Sequence, residues 1–583
     1  MDELPCDTSS ERESAGLEQR RARLGAQQRA LLEQRLRVGS DNGHSLVAKT
    51  LANLGVTHVY GVPGQPVYDT FGECAKQGLR LIGTHHQQPA ALMAAAHNYF
   101  AGRQTAATIT CAGAPTANAL SAVVVARDNG WPIIVLAGAA PLVASDAGYF
   151  MVLDTIEVFR PIAKWVARVP ETRDIPACVA KAFETAITGR PGPVILELPE
   201  DVLIGAATDC DSPPRSCPQE VAEINASLVQ QSADVLVAAR RPLLIVGADL
   251  RWSAPFAELT ELVDSFAVPF ITSPFACGAI ADDHSLCMNA IPWLVQSQAD
   301  VVLVLGTRLN WNFRYGQLIA ADATVIQIDM EERPFVRHRE IQIGAHADPG
   351  VFLRALLRQI NPAERARARS HRDNSWIAIL RATNSATLAK RIEEASIDGD
   401  LISPLGLAAE IGRALPGDAI SIFDSNLVLA ACQQMIPARL PVSRLTPGTS
   451  GCLGTGIAYA IAAKLAHPQR SVVAVCGDFA FGLGVMELET AVRHGVPIVV
   501  IVANNHGNAG SLRQKMYLSK YPERVVMFQP GLRYDRLMET FGGYAEHVEH
   551  SGGVSPALER ALASARAACI NVVIDSDAPF PGD

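Results

Sequence analysis

The segment from residue 471 to residue 507 is the most informative part of the sequence about the fold. It opens with Ser471-Val472-Val473-Ala474-Val475-Cys476-Gly477-Asp478-Phe479 and closes with Pro497-Ile498-Val499-Val500-Ile501-Val502-Ala503-Asn504-Asn505-His506-Gly507. The runs 471–475 and 497–502 are short, apolar and rich in β-branched residues, which indicates two buried strands. The intervening run 486–493 has helical spacing. A strand, a helix and a second strand in this order predict a parallel sheet.

Two oxygen-bearing side chains follow these strands directly. Asp478 comes after the first strand and Asn505 after the second, so both are expected at the carboxyl edge of the sheet, where open α/β sheets bind ligands. One carboxylate, one amide oxygen and a nearby backbone carbonyl form an incomplete set of hard ligands that suits Mg²⁺. Gly477, Gly482 and Gly484 favour a diphosphate at the start of the next helix. The alternative is an ordinary strand–loop–helix with a capping Asp.

The composition is typical of a well-packed globular protein. The chain has 583 residues, 49% of them hydrophobic and 19% charged, and this length suits about three or four domains. The net charge of −9 disfavours a nucleic-acid surface, and no apolar run is long enough to span a bilayer. The twelve cysteines lack the spacing of a zinc site and indicate buried thiols in a reducing compartment. We therefore expect a cytoplasmic protein whose partners are neither nucleic acids nor membranes.

The first forty residues differ from the rest of the chain. The segment 11–37 is rich in Arg, Gln and Glu, and apolar residues recur seven apart at Leu17, Leu24, Leu31 and Val38. A coiled coil also needs apolar residues at a second position between these, and those positions are polar here. The spacing therefore predicts a solvated, partly frayed helix. The Arg content is typical of an organelle transit peptide, but the acidic residues are not. We assign 1–40 to an amino-terminal extension.

Beyond residue 41, strands and helices alternate almost throughout, which predicts an α/β fold of three doubly wound parallel-sheet domains. The first and third domains are similar in size and pattern. The clearest expected strands are 56–62, 79–83, 106–110 and 133–137 in the first domain and 242–247, 301–306 and 325–329 in the second. The predicted divisions are a first domain 41–205, a linker 206–228, a central domain 229–360, a polar helical linker 361–399 and a third domain 400–583.

Five segments resemble those of thiamine-diphosphate-dependent enzymes, and they follow one another along the chain in the order that this family has. Besides the Gly477-Asp478 and Asn504-Asn505 segments, they are Gly61-Val62-Pro63-Gly64-Gln65-Pro66, Thr307-Arg308-Leu309-Asn310-Trp311 and Pro447-Gly448-Thr449-Ser450-Gly451-Cys452-Leu453-Gly454. The resemblance covers 41–577. It implies that the first domain binds the pyrimidine ring of thiamine diphosphate and the third binds the diphosphate. In this family the cofactor lies between two subunits, so the resemblance also implies a homodimer or homotetramer.

The resemblance assigns roles to individual residues. It implies that Asp478, the Asn505 side chain and the Gly507 carbonyl bind Mg²⁺, and that Leu453 wedges between the two rings so that the cofactor bends. Phe479 departs from the family, which more often has a small residue there. The implied cofactor-binding residues are Gly64, Gln65, Gln87, Asn118, Ser425, Asn426, Gly451, Leu453, Gly477, Asp478, Phe479, Ala480, Asn505, Gly507 and Asn508.

The main departure from the family is at position 87. In the segment Thr84-His85-His86-Gln87-Gln88-Pro89, Gln87 takes the place of a glutamate that shares a proton with the pyrimidine. Glutamine forms the hydrogen bond but exchanges no proton near neutral pH, and losing such a contact costs about 10² to 10⁴ in rate. Three interpretations stay open. Gln87 leaves a slower enzyme, His85 or His86 moves the proton instead, or the protein binds the cofactor without turnover.

Finer similarities indicate the reaction class. The segments 308–311, 61–69 and 568–575 are most similar to those of oxalyl-CoA decarboxylases and 2-hydroxyacyl-CoA lyases, which implies C–C bond cleavage or formation on an acyl-CoA. Asn508-Ala509-Gly510 departs from these relatives, which often have an aromatic residue there. The alternatives are a carboligase similar to acetolactate synthase or benzaldehyde lyase, acting on 2-keto acids or aldehydes, and a catalytically weak cofactor-binding subunit. Whether the central domain holds FAD or another nucleotide is left open.

Overall fold

The computed structural model describes residues 41–144, 148–207, 224–331, 339–396, 401–508 and 526–581. Three parallel sheets organise this part of the chain, which confirms the fold class that the alternation of strands and helices predicts. The predicted helix within 1–40 and most of the predicted linker 206–228 lie outside the described residues.

The first sheet contains six strands, namely β1 His58–Gly61, β2 Arg80–Gly83, β3 Ala106–Thr110, β4 Ile133–Ala139, β5 Trp165–Arg168 and β6 Pro193–Pro199. They are arranged in the order β2-β1-β3-β4-β6-β5. The inner strands are buried on both faces because helices cover both sides, as parallel sheets require. The helices are α1 Gly43–Asn53, α2 Tyr68–Lys76, α3 Gln87–Ala101, α4 Ala114–Asn118, α5 Leu120–Asn129, α6 Thr155–Phe159, α7 Ile175–Ile187 and α8 Glu200–Ile204.

The second sheet contains five strands, namely β7 Pro242–Val246, β8 Phe270–Thr272, β9 Val301–Leu305, β10 Thr324–Asp329 and β11 Ile343–His346. Their order is β11-β10-β9-β7-β8. The helices are α9 Ala226–Ala238, α10 Leu250–Ser253, α11 Phe256–Phe266, α12 Pro292–Gln298, α13 Pro349–Gln359, α14 Pro362–His371 and α15 Asn374–Ala395. The helical segment predicted at 361–399 thus forms α14 and α15, and its few apolar residues, among them Trp376 and Leu380, join the core of this sheet.

The third sheet contains β12 Ile420–Asp424, β13 Arg444–Leu445, β14 Val472–Gly477, β15 Val499–Asn504, β16 Tyr544–Val548 and β17 Ala568–Val573. Their order is β13-β12-β14-β15-β17-β16. This is the strand order of the first sheet, so the two sheets share one topology. The helices are α16 Pro404–Ala414, α17 Leu427–Met435, α18 Gly456–Ala466, α19 Asp478–Gly482, α20 Glu487–Arg493, α21 Asp535–Phe541 and α22 Val554–Ala563.

The first and third sheets share a continuous apolar core through α3 and α18. Both helices are rich in alanine and almost completely buried, and small side chains allow the two backbones to approach closely. The central domain contacts the carboxyl end of α3, where the Arg251 guanidinium donates to the carbonyls of Tyr99 and Phe100 at 2.8 Å each. A cation is favoured at this end of a helix because the last carbonyls have no intrahelical partner.

The described cysteines are free thiols, and seven of the nine are buried, which agrees with the prediction from their spacing. In the described ranges no helix is both long enough and apolar enough to cross a membrane.

Candidate functional site

The crevice of the third sheet lies where the strand order reverses. β12 and β14 are neighbours in the sheet, and the chain leaves them to opposite sides, which is the position where doubly wound sheets bind ligands. Ser425 follows β12 and Gly477 ends β14. A Cβ at Gly477 would lie 2.9 Å from Ser425 Oγ, so only glycine lets these two loops meet. Asn426 is exposed on the same side, ahead of α17.

Asp478 begins α19 at the floor of this crevice and is only 2% exposed. Its Oδ2 accepts a hydrogen bond from the Gly507 N–H at 2.9 Å, and its Oδ1 accepts one from the Phe479 N–H at 2.8 Å. Burial raises the pKa of Asp478 to about 6, although these N–H donors oppose the shift. A nearby cation would favour the charged carboxylate.

The turn after β15 carries the other predicted metal ligands, Asn505 and Gly507, and brings Gly507 to Asp478. Asn505 is buried, and His506 adopts a left-handed conformation with φ of 60°. The Asn504 side chain accepts a hydrogen bond from the His506 N–H at 3.1 Å and so stabilises this turn. Gly507 then contacts Asp478 directly. The exposed Asn508 donates its N–H to the Val526 carbonyl at 2.7 Å.

The donor set around Asp478 fits a hard divalent cation. It consists of one carboxylate, the Asn505 amide and the backbone of Gly507, and such oxygen ligands leave further positions of Mg²⁺ for water or phosphate. Among the residues that the structure describes, no group of three or more His, Cys, Asp or Glu side chains could hold a metal ion. A magnesium ion here would therefore depend on phosphate oxygens as well as on protein oxygens.

Phe479 and Ala480 line the same loop. Ala480 is buried within α19, whereas Phe479 stacks on Phe528, with ring centroids 6.3 Å apart. The large residue at position 479 therefore packs away against a neighbouring segment and leaves the Asp478 oxygens in contact with backbone N–H groups.

The glycine-rich turn before α18 is held by a buried carboxylate. Asp424, which ends β12, is 1% exposed, and its Oδ2 accepts the Gly456 N–H at 2.6 Å. Burial raises the pKa of Asp424 to about 6, although hydrogen bonds from the N–H groups of the turn lower it. Its Oδ1 is buried and has no hydrogen-bond partner among the described residues. Leu453 is half-buried in this turn, and the space around Gly451, which has φ of 62°, is open.

Gln87 begins α3 in the first domain and is 6% exposed. Its Oε1 accepts a hydrogen bond from Asn118 Nδ2 at 3.0 Å, and its Nε2 lies 3.9 Å from Cys111 Sγ. The two predicted residues Gln87 and Asn118 are thus in contact. Because Asn118 occupies the amide oxygen, the amide nitrogen is the atom that can donate to a ligand. Gly64 lies against the same thiol, since a Cβ there would be 2.8 Å from Cys111 Sγ.

The two histidines before Gln87 have structural contacts. His86 caps α3, and its Nδ1 accepts a hydrogen bond from the Gln88 N–H at 3.2 Å. His85 Nε2 lies 2.7 Å from Glu489 Oε2 in the third domain, and the His85 N–H donates to Glu487. His85 therefore ties the start of α3 to α20, while Gln87 has its side-chain hydrogen bonds within the first domain.

Charged side chains of the first and central domains meet in the crevice of the central sheet. Arg190 lies 3.4 Å from Asp249, and Arg308 lies 3.3 Å from Glu331. Burial raises the pKa of Asp249 to about 6 even though Arg190 opposes it. The cavity among these described residues is about 30 Å³, which is room for about one water. A flavin or nucleotide would need these loops to separate.

Several residues around these crevices escaped the sequence analysis. Asp424 stabilises the Leu453 turn, Cys111 contacts Gln87, and Glu200 contacts the predicted Gln65 through a 2.8 Å hydrogen bond. Asp424 and Glu200 stand at the carboxyl ends of apolar strands, which was the signal that identified Asp478. Applied to every strand, the same criterion would have found both.

Three regions of the chain match families of known domains. Residues 41–158 match "Thiamine pyrophosphate enzyme, N-terminal TPP binding domain", 229–356 match "Thiamine pyrophosphate enzyme, central domain", and 428–572 match "Thiamine pyrophosphate enzyme, C-terminal TPP binding domain". The three matches fall on the three sheets in order.

The chain is also similar to curated proteins along nearly its whole length. It is 30% identical to 2-hydroxyacyl-CoA lyase of Arabidopsis thaliana, with 93% of this chain and 96% of that protein covered. It is 30% identical to the acetolactate synthase large subunit of Mycobacterium tuberculosis, with 92% and 96% covered. It is 29% identical to oxalyl-CoA decarboxylase of Escherichia coli K12, with 92% and 95% covered.

Proposed function

The chain belongs to the thiamine pyrophosphate enzymes, which make or break C–C bonds, and from that premise we propose that it is a Mg²⁺-dependent lyase of the 2-hydroxyacyl-CoA lyase type. The observation that supports the metal and the cofactor geometry is the contact between Asp478 and Gly507 in the crevice between β12 and β14. It joins the two halves of the oxygen donor set at the position where such sheets bind phosphates.

In this proposal the third domain holds the diphosphate. Asp478, Asn505 and the Gly507 carbonyl would hold Mg²⁺, and the absence of a side chain at Gly477 would let phosphates approach the backbone beside Ser425. Asp424 fixes the turn that carries Leu453, and Leu453 would contact the cofactor there. When bound, thiamine diphosphate supplies a nucleophilic C2 carbon and an electron sink.

Gln87 binds the pyrimidine ring from the first domain. Asn118 holds its Oε1, so Nε2 donates to the acceptor nitrogen of the ring. This contact would orient the ring, but the Gln87 amide could not exchange a proton with it as a carboxyl group at position 87 could. His86 contributes its Nδ1 to the helix cap, and His85 contributes its ring to the contact with Glu489.

We propose that the complete site forms between two copies of the chain. The hydrogen bonds of Gln87 stay within the first domain, and those of Asp478 stay within the third. Large apolar side chains are exposed beside both half-sites, among them Phe150 near the first and Leu483 near the third, and such exposure marks interaction surfaces. A homodimer or homotetramer would cover them, and sedimentation at micromolar concentration tests this assembly.

Acyl-CoA chemistry is the first candidate for the substrate, and the relatives named 2-hydroxyacyl-CoA lyase and oxalyl-CoA decarboxylase support it. The second candidate is carboligation of 2-keto acids or aldehydes, which the equally similar acetolactate synthase relatives support. Both reactions use the same half-sites, so the substrate pocket decides between them. A cytoplasmic location remains our expectation from the free thiols.

One experiment separates the two candidates. Purified protein with thiamine diphosphate and Mg²⁺ is mixed with formyl-CoA and an aldehyde, and 2-hydroxyacyl-CoA is measured by mass spectrometry. Its formation supports the lyase, because the reverse of C–C cleavage joins these two compounds. Release of CO₂ from pyruvate, without any CoA product, would instead support the carboligase and refute the first candidate.

A further inference from the structure

The side chain of Gln87 has two hydrogen-bond partners among the described residues, and both belong to one turn of the chain. Its Oε1 accepts a hydrogen bond from Asn118 Nδ2 at 3.0 Å, and its Nε2 lies 3.9 Å from Cys111 Sγ. Cys111 directly follows β3, and Asn118 ends α4, the short helix that comes next. The segment from β3 to the end of α4 therefore decides what Gln87 can present to a ligand.

The position of this segment is fixed by a buried pair of hydroxyl groups. Thr116 Oγ1 donates a hydrogen bond to the Cys111 carbonyl at 2.8 Å and lies 2.9 Å from Thr110 Oγ1. Both threonines are completely buried. Gly64 packs closely against Cys111, since a Cβ at Gly64 would lie 2.7 Å from Cys111 Cβ. The partner atoms are thus held in place beside the Gln87 amide.

The direction of these hydrogen bonds, in contrast, is not fixed. The Asn118 amide has both a donor nitrogen and an acceptor oxygen, and a thiol can donate or accept. Burial raises the pKa of the Cys111 thiol, which therefore keeps its proton near neutral pH. Within the described ranges, neither Asn118 nor Cys111 has a second side-chain hydrogen bond that would fix its orientation, and Asn118 is exposed.

A half-turn of the Gln87 amide therefore preserves both contacts. In the observed orientation, Oε1 faces Asn118 Nδ2, and a proton on Nε2 is available to a ligand. After a half-turn of both amides, Nε2 would donate to Asn118 Oδ1, and the Cys111 S–H would donate to Oε1. The second lone pair of Oε1 would then be available to the ligand. Gln87 can thus offer either a donor or an acceptor without losing a partner.

We infer that Gln87 binds the pyrimidine ring in both protonation states of the ring by rotating its amide, and that Asn118 and Cys111 are the positioning residues that permit this rotation. The inference rests on the proposed function. Nε2 donates to the ring nitrogen while that nitrogen is unprotonated, and Oε1 accepts from it once water has protonated it. The ring thus selects the orientation of the amide. An ionised carboxyl group at position 87 would instead favour the protonated ring, because it only accepts.

The proton affinity of the ring nitrogen tests the inference without turnover. Thiamine diphosphate labelled with ¹⁵N at the acceptor nitrogen of its pyrimidine ring is bound to the full chain with Mg²⁺, and the ¹⁵N shift is followed as the pH is lowered. The titratable groups near the start of α3, among them His85, His86 and Glu487, are the same in every variant and cancel in the comparison.

The first comparison is between the wild type and Gln87→Met, which keeps the length of the side chain and removes the amide. We expect the wild-type proton affinity to be equal to that of Gln87→Met or up to about 10-fold higher, because hydrogen bonds to a charged ring are the stronger ones. A wild-type proton affinity below that of Gln87→Met would identify the amide as a fixed donor. A gain of well over about 10-fold would identify a fixed acceptor. Either result would overturn the inference.

Asn118→Asp is designed to hold the amide in one orientation. An ionised carboxylate cannot donate, so Gln87 Nε2 would turn towards it and Oε1 would face the ring permanently. We expect the proton affinity of the ring nitrogen to rise at least about 10-fold over the wild type, because the unprotonated ring loses its donor. Ala114→Asp, at an exposed residue one turn earlier on α4, adds the same charge and should stay within about threefold of the wild type. Equal gains in both variants, or no gain in Asn118→Asp, would contradict the inference.

Calorimetry of cofactor binding distinguishes a failure of this inference from a failure of the proposed function. If the wild type takes up no thiamine diphosphate in the presence of Mg²⁺, the proposed function is wrong, and the inference is wrong with it. Normal uptake together with a contrary result from either titration would refute the two orientations of Gln87 alone.

Discussion

The first and third sheets have the same six-strand order but different carboxyl edges. In the third, the Asp478 carboxylate accepts a hydrogen bond from the Gly507 N–H. In the first, the corresponding edge carries the amide of Gln87, the thiol of Cys111 and the carboxylate of Glu200. One topology therefore carries different polar groups at its carboxyl edge in the two sheets.

The difference lies in the loops because the strands have little freedom to vary. Inner strands of a parallel sheet are buried on both faces and accept mainly apolar residues. The residue after each strand meets the crevice, and its chemistry can change without disturbing the core. At the central sheet, the crevice contains ion pairs instead, such as the pair between Asp249 and Arg190 of the first domain.

The largest expected effect is that of removing the Asp478 carboxylate in the third domain. Asp478→Ala removes the carboxylate and the acceptor for the Gly507 N–H. We expect affinity for thiamine diphosphate in the presence of Mg²⁺ to fall more than about 100-fold, since even indirect partners of a metal contribute 10- to 100-fold. Isothermal titration calorimetry measures this loss. Asp418→Ala, at an exposed aspartate of the same domain, is the control, and unchanged affinity in Asp478→Ala would refute the metal site.

Gln87→Glu places a carboxyl group that can exchange a proton at position 87 of the first domain. Asn118 Nδ2 can donate to the new carboxylate as it does to Gln87 Oε1. We expect C2 proton exchange to accelerate about 100-fold or more, within the usual contribution of a general acid–base group. NMR of quenched samples gives the rate. Gln88→Glu adds the same charge one residue later and should have no such effect, while exchange that slows in Gln87→Glu would mean that another group already moves the proton.

A smaller effect concerns the pH dependence of stability in the third domain. The folded pKa of Asp424 is about 6, above its ordinary value of 3.8. Protonation of Asp424 therefore stabilises the folded state. This stabilisation is fully present below about pH 4 and is lost as the pH rises through 6. Relative to Asp424→Asn, the free energy of unfolding of the wild-type apoprotein should fall by at most about 3 kcal/mol between pH 4 and pH 7.

Urea unfolding of the apoprotein at the two pH values measures this difference. Asp418→Asn, at an exposed aspartate, should follow the wild type at both pH values. Parallel curves for wild type and Asp424→Asn would show that the buried carboxyl does not titrate in this range.

The smallest effect is expected at His86. In His86→Asn the new side chain can still cap α3, because asparagine is among the best N-cap residues. C2 proton exchange should therefore stay within about threefold of the wild type, given that a group moving the proton would contribute at least 10². A fall of 100-fold with α3 intact by circular dichroism would identify His86 as the proton carrier and change the interpretation of Gln87.

Much of the fold could be predicted because buried parallel strands leave a clear pattern. The run 106–110 is observed as predicted, and 133–137 continues for two more residues to Ala139. The repeated pattern of the first and third units also corresponds to a shared strand order. The Asp478 segment belongs to the same class of signal, since a polar residue directly after an apolar strand has a defined position at the sheet edge.

The sequence indicates which candidate site residues lie close together only where they belong to one short segment. Gln87 and Asn118 stand 31 residues apart and meet through a 3.0 Å hydrogen bond. Glu200 and Gln65 stand 135 residues apart and meet through one of 2.8 Å. Such pairs follow from how distant strands are ordered in the sheet, and no local pattern encodes their distance.

The sequence by itself determined that the chain forms α/β domains with Asp478 and Asn505 at a sheet edge, because residue periodicity and strand-end position are local properties. Only the folded chain shows that His85 ties α3 to α20, that Asp424 holds the Leu453 turn, and that Gln65 donates to Glu200. These depend on contacts between elements far apart in the chain, which packing of the sheets creates.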